Sequence, residues 1–249
     1  MSVLRMVPWL AMAFSLASVA TAQNFPDKPV RMIVPFPPGG STDLVARVAG
    51  QKLAELWGQQ VVIDNRGGAN GMIGSDLVAK ASPDGYTAVL GTIGPFAINA
   101  GLYKMPYDIV RDFAPITYTA NIANVLVVHP AISAKDVKEL LALAKAKPGA
   151  LSFGSSGTGG APHMAVELFK LLAQVNVVHV PYKGGGPAMA DLVGGQISAS
   201  FASMPSAIPF IKSGKLRALG VSASKRSSAL PETPTVAEAG VPEIGRAHV

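Results

Sequence analysis

Four times along this chain a short apolar run breaks into a loop built almost wholly from Gly, Pro, Ser and Thr. Each time a helical pattern begins directly behind the loop. Val30–Val34 runs into the segment ending PFPPGGSTD, Tyr86–Leu90 into Gly91-Thr92-Ile93-Gly94-Pro95, Leu151–Gly154 into SSGTGG at 155–160, and Val177–Val180 into PYKGGG at 181–186. Apolar runs of four or five residues, rich in Val and Ile, are the signature of buried strands. Behind the first loop, Leu44, Val45, Val48, Leu53, Leu56 and Trp57 recur at helical spacing, with Ser41 or Thr42 as N-cap candidates and Gly58 as the stop. Strands alternating with helices specify α/β sheets with parallel pairing.

Further elements fit the same alternation. Val61-Val62-Ile63 reads as a strand and Gly71 to Ala81 as a helix, stopped by Ser82-Pro83-Asp84-Gly85. A long strand-like stretch covers Ala114 to Val128. Val137 to Lys147 is helical, with Ser133 as cap candidate and Pro148-Gly149 as stop. Helices are also expected behind Pro162 and Pro187 and around Ser206 to Lys212, and strands at Ile197–Phe201 and Leu216–Val221. These are too many units for one small sheet. The expected division is a signal peptide at 1–22, the first part of domain 1 at 23–122, domain 2 at 123–225 and a return segment to domain 1 at 226–249.

Composition narrows the function. The 249 residues are 49% apolar and only 14% charged, which supports a buried core. The net charge of +6 is scattered, with no basic run carrying interleaved aromatics, so nucleic acid is not an expected partner. There is no Cys, hence neither disulfide nor thiolate metal site. Arg5, the apolar Met6–Val19 and Ala20-Thr21-Ala22 form a signal-peptide pattern with cleavage after Ala22, so export is expected.

Loops that follow strands and precede helices meet at one edge of an α/β sheet, where ligands bind. Glycine lets a ligand approach the backbone, and a helix N-terminus offers unpaired N–H groups and partial positive charge to an anion. Two such loops in each half of the chain describe a cleft between domains. Chemistry-bearing motifs fail on inspection. Gly154-Ser155-Ser156-Gly157-Thr158 lacks the last glycine of a nucleophile elbow, and Gly154–Gly159 is followed by Gly160-Ala161 where a P-loop needs Lys and Ser/Thr. His129, His163, His179 and His248 show no zinc spacing, so neither metal nor cofactor is expected. Asp43 reads first as a dipole complement in a helical first turn. The competing class is a secreted hydrolase using Ser155 or Ser156 with His163, for which no orienting carboxylate is evident in the sequence.

Seven segments in order, FPDKPVRMIVPFPPGGSTDLVAR, VVIDNRGGANGMIGSDLVAKASPDGYT, GTIGPFAINAGLY, PYDIVRDFAPIT, SFGSSGTGGAPHMAVELFK, VPYKGGGPAMADLVGGQI and GKLRALGVSASKRSSALPETPTVAEAGVP, closely resemble the Bug (TctC-like) family of periplasmic receptors of tripartite tricarboxylate transporters. The resemblance spans Phe25 to about Pro242. It implies the two-domain periplasmic-binding-protein fold (type II-like, a Venus flytrap) with parallel-rich sheets, closing by a hinge on a small carboxylate. That ligand would be a di- or tricarboxylate, an acidic amino acid or an aromatic acid such as nicotinate, held largely by backbone amides and waters. The implied partners are the membrane components of the transporter, with the receptor itself a monomer; an alternative role is presenting the liganded state to a signalling protein. Carried over by position, ligand contacts fall on Phe36, Gly39, Gly40, Ser41, Thr42, Asp43, Thr92, Gly94, Phe96 and Ala97 in the first domain. In the second they fall on Ser155, Gly157, Thr158, Gly159, His163, Tyr182, Lys183 and Gly184. Ala202 and Ser203 follow Phe201 where many members carry Asp, which disfavours an amino-acid ligand. Members continue beyond the Gly-Val-Pro of 240–242, and Ile244–Val249 can be encoded by an adapter-like string, so the gene is expected to continue.

Overall fold

The structure, a computed structural model, describes residues 25–242 and 244. The expected signal peptide lies outside these residues. In chain order the elements are β1 (Val30–Val34), α1 (Ser41–Trp57), β2 (Val61–Asn65), α2 (Met72–Ala79), β3 (Thr87–Val89), α3 (Asn99–Leu102), β4 (Asn124–Val128), α4 (Val137–Ala146), β5 (Ser152–Ser155), α5 (Ala161–Ala173), β6 (Val178–Pro181), α6 (Gly185–Val193), β7 (Ala199–Ser203), α7 (Met204–Lys212) and β8 (Arg217–Ser222). They form two lobes, each with its own sheet.

The first lobe holds a three-stranded parallel sheet in the order β2-β1-β3. Val30, Ile33 and Val34 of β1 are buried, as is Ala46 on the inner side of α1. The second lobe holds five strands in the order β6-β5-β7-β4-β8. There β5 runs parallel to β6 and β7, while β4 is antiparallel to both β7 and β8. Every residue of β4 is buried, because both faces of this sheet are covered. Its side chains divide with period two. Leu126 and Val128 join Phe153, Phe201, Leu140 and Phe169 on the α4/α5 side, while Val125 and Val127 join Leu192, Met204 and Ala207 on the α6/α7 side.

Four local readings change. The strand expected over 114–128 is strand only from Asn124; Ile116 and Tyr118 are exposed in an extended crossing that has no partner strand. Gly40, not Ser41 or Thr42, is the N-cap of α1. Asp136, not Ser133, caps α4: its Oδ1 accepts the Glu139 N–H at 2.8 Å, and Glu139 Oε2 accepts the Lys135 N–H at 2.7 Å. The carboxylate cap wins because it meets the amide at the first turn. Finally, the described part of the expected return segment seats on the second lobe. The Val236 N–H donates to the Val221 carbonyl of β8, the Val221 N–H donates to the Pro234 carbonyl, and Val236, Val241 and Ile244 close the α4/α5 core.

Candidate ligand cleft

In the first lobe, Asp43 bolts the loop between β1 and α1. Its Oδ2 accepts from the Gly39 N–H and from Arg47 Nε, both at 3.0 Å, and its Oδ1 accepts from Asn65 Nδ2 at 3.0 Å. Asn65 donates as well to the Phe36 carbonyl at 3.0 Å, tying the end of β2 to the same loop. Burial alone would raise the Asp43 pKa, but the bonds from Arg47, Gly39 and Asn65 together hold it below the usual carboxylate value. Both oxygens therefore accept hydrogen bonds from within the first lobe. The segment at 91–99 is fixed differently. Tyr107 is buried and donates to the Pro95 carbonyl at 2.8 Å, and the rings of Phe96, Tyr107 and Phe113 pack at 4.9 to 6.3 Å.

In the second lobe, Ser155 is 1% exposed and its Oγ lies 2.6 Å from His179 Nε2. The His179 and His163 rings stack at 4.2 Å. Burial, and then the neighbouring His163, lower the His179 pKa to about 4. His163 Nδ1 accepts the Gly159 N–H at 3.1 Å, so this ring braces the loop from behind. Tyr182 donates to Asp191 Oδ2 at 2.7 Å; burial and that carboxylate push its pKa up to about 12.

The histidines and Glu167 form a cluster that no sequence spacing revealed: ligand atoms of His163, Glu167 and His179 lie within 4.8 Å of one another. Their bonding suits a proton network rather than a metal. Accepting at Nδ1 leaves the neutral His163 ring proton on Nε2, and Lys170 Nζ holds both Glu167 oxygens at 2.9 and 3.0 Å.

The lobes meet loop to loop. A Cβ placed on Gly184 would stand 2.8 Å from Pro37 Cδ, one on Gly186 3.0 Å from the Pro38 carbonyl oxygen, and one on Gly159 2.6 Å from Asn99 Oδ1. Bareness in the second-lobe loops is thus a condition of the two lobes touching. Around this meeting the helices begin without side-chain caps. The N-caps of α1, α2, α5 and α6 are Gly40, Gly71, Gly160 and Gly184, and none supplies a side chain to the first-turn amides. α7 also starts without a side-chain cap bond, though at Ser203, whereas α4 is capped by Asp136. Uncapped first turns leave N–H donors and the positive end of the helix dipole for an anion.

A family model described as tripartite tricarboxylate transporter family receptor matches residues 45–248. The chain belongs to this receptor family. The Bordetella pertussis protein BugT is 41% identical over 231 residues, covering 92% of this chain and 71% of BugT. Among solved structures, R. palustris Rpa4515 with adipate is 39% identical with a TM-score of 0.87, covering 88% of this chain and 74% of that one. MatC from Rhodopseudomonas palustris, with bound malate, is 32% identical with a TM-score of 0.83, covering 88% and 75%. The two-lobed fold read from the alternation is that of periplasmic binding proteins.

The receptor cleft gathers some of the sequence-derived site residues and not others. A cavity of about 320 Å³ is lined by Phe36, Gly157, Thr158, Tyr182 and Lys183. Gly40, Ser41, Thr42, Thr92, Gly94, Phe96 and Ala97 line a wider opening of about 2800 Å³ that shares Phe36, Asn70 and Ser156 with it. Gly39, Asp43, Ser155, Gly159, His163 and Gly184 line neither; they shape or brace the loops. Gly68, Ala69, Asn70, Gly71, Met72, Tyr103, Ser156 and Pro181 line the smaller cavity and were not among the expected contacts. Half of them belong to a fifth bare loop, RGGANG at 66–71, which also joins a strand to a helix and carries the same signal.

Proposed function

We propose that this chain is an extracytoplasmic receptor that captures a small carboxylate between its lobes and delivers it to a tripartite tricarboxylate transporter. The observation that carries this reading is the set of four glycine-capped helices opening at one cleft. Apart from the Met72 N–H, which donates to the Ala69 carbonyl, their first-turn amides complement a carboxylate without a dedicated arginine. Lys183 is the sole charged side chain lining the smaller cavity. Phe36, Met72, Tyr103 and Tyr182 give the remainder of that wall an apolar character suited to a carbon skeleton. Rpa4515 and MatC, solved with adipate and malate, set the size and chemistry of the first ligands to try. The signal-peptide pattern at 1–22 supports a periplasmic location for this receptor. The contacts carried over from the family resemblance are proposed to act in two ranks: those lining the cleft touch the ligand, and Gly39, Asp43, Ser155, Gly159, His163 and Gly184 hold them in place.

The Ser155–His179 contact raises hydrolysis as the reading to exclude. Ser155 is buried beneath its loop, and among the described residues no carboxylate hydrogen-bonds His179 to orient it. A thermal-shift screen separates the two readings. Binding to the folded state raises the midpoint as the ligand exceeds its dissociation constant. A shift with one or two carboxylates, and no ester turnover that depends on Ser155 or Ser156, is expected. Ester turnover lost in Ser155→Ala or Ser156→Ala, with no shift from any acid, would replace the receptor by an enzyme.

A further inference from the structure

Asn70 sits where the lobes touch. It stands in the left-handed region at φ 50° and ψ 42°, in the loop between β2 and α2. Its Nδ2 donates to Asn99 Oδ1 at 3.0 Å, which fixes the amide plane within the first lobe. Its Oδ1 is buried and has no hydrogen-bond partner. That oxygen is walled by glycines of both lobes: Cβ positions on Gly157 and Gly160 of the second lobe would lie 3.5 and 3.3 Å from it, and one on Gly94 of the first lobe 3.5 Å.

We infer that Asn70 is a closure gate: its side-chain amide makes joining of the lobes unfavourable unless a bound molecule compensates. This inference rests on the receptor reading above. With the lobes apart, the amide oxygen is hydrated. When Gly157 and Gly160 arrive, that water is stripped and no protein donor replaces it. The dispersion attraction between the amide and the arriving glycines is weak for each atom pair, whereas an unmade buried hydrogen bond shifts an equilibrium by about tenfold or more. Asn70 thus biases the free protein toward open, and closure is left to ligands that contribute enough binding across the cleft.

The test uses the full chain, which has no native cysteine, so that Gln51→Cys in α1 and Lys145→Cys in α4 accept a unique spin-label pair. The interlobe distance distribution is read without ligand in the parent, Asn70→Gly and Asn70→Asp. Glycine keeps the left-handed backbone and removes the amide, and its closed-to-open ratio is expected to rise about tenfold. Aspartate keeps the shape but places a charge in the same dry spot, and is expected to lower that ratio below the parent's. General damage to the loop would move both variants the same way. Equal ratios in all three proteins, or a shift of Asn70→Gly toward open, overturns the gate. Adipate and malate added to the parent test the receptor reading separately: if neither alters the distances, that reading loses support while the ligand-free comparison still decides the gate.

Discussion

Asp43 is a side chain held by its own neighbourhood. Three donors meet its carboxylate, and it lines neither cavity. Asp43→Ala strands the Gly39 N–H and the Asn65 amide in a partly buried loop, and is expected to destabilise the fold by about 2 kcal/mol. Urea titration checks this, and an unchanged midpoint would contradict it. His179 carries a pH signature of definite sign. Its folded value of about 4 lies below its ordinary 6.5. Above 6.5 both states are neutral and nothing is lost. Between 6.5 and 4 the unfolded chain takes up a proton that the folded chain refuses, so stability falls as pH falls through that window. His179→Gln is expected to flatten this part of the profile; the same decline in the variant would assign it to other groups. The role of His179 was not legible from type and spacing, because it depends on Ser155 and His163 far along the chain; that of Asp43 was legible in part, since Gly39 and Arg47 lie four residues away and only Asn65 joins from β2.

Elements were far more legible than their caps. The alternation of β-branched runs with helical periods located every strand of the two sheets, since both signals come from local sequence. The crossing at 114–123 deceived because extended backbone counts as strand only when a neighbour pairs with it. The α1 cap was misread because that cleft helix gives up its side-chain cap, whereas at α4 a carboxylate three residues beyond Ser133 took the cap position. Gly186 offers a test at the cleft. It lies in the first turn of α6, where alanine is at least as favourable, yet its Cβ would stand 3.0 Å from the Pro38 carbonyl oxygen across the cleft. Gly186→Ala is expected to keep or slightly raise the thermal midpoint of the free protein while weakening carboxylate binding roughly tenfold or more, by obstructing closure. Calorimetric titration with adipate and malate beside a melting curve distinguishes this from simple damage, which would lower both.

At the scale of the molecule, two sheets with facing glycine loops make a cleft in which, on the proposed reading, backbone supplies the recognition and the lobes supply enclosure. The resemblance carried by seven ordered segments named the family, but could not separate residues that line the cleft from those that brace it. That division depends on which loops meet across the gap, and the fifth loop at 66–71 became visible as a wall only in three dimensions. Amide recognition of an anion also makes a prediction that a cation-based site does not share. Lys183 is exposed, and losing it should cost little beside losing the ligand's charge. The most direct measurement is a calorimetric titration of the mature protein and of Lys183→Met with adipate and malate, each beside its uncharged diamide. One acid should bind with one-to-one stoichiometry, its diamide about a hundredfold more weakly or not at all, and Lys183→Met should retain the acid within about tenfold. Acid and diamide binding alike, or no binding of either acid by folded protein, would contradict the account.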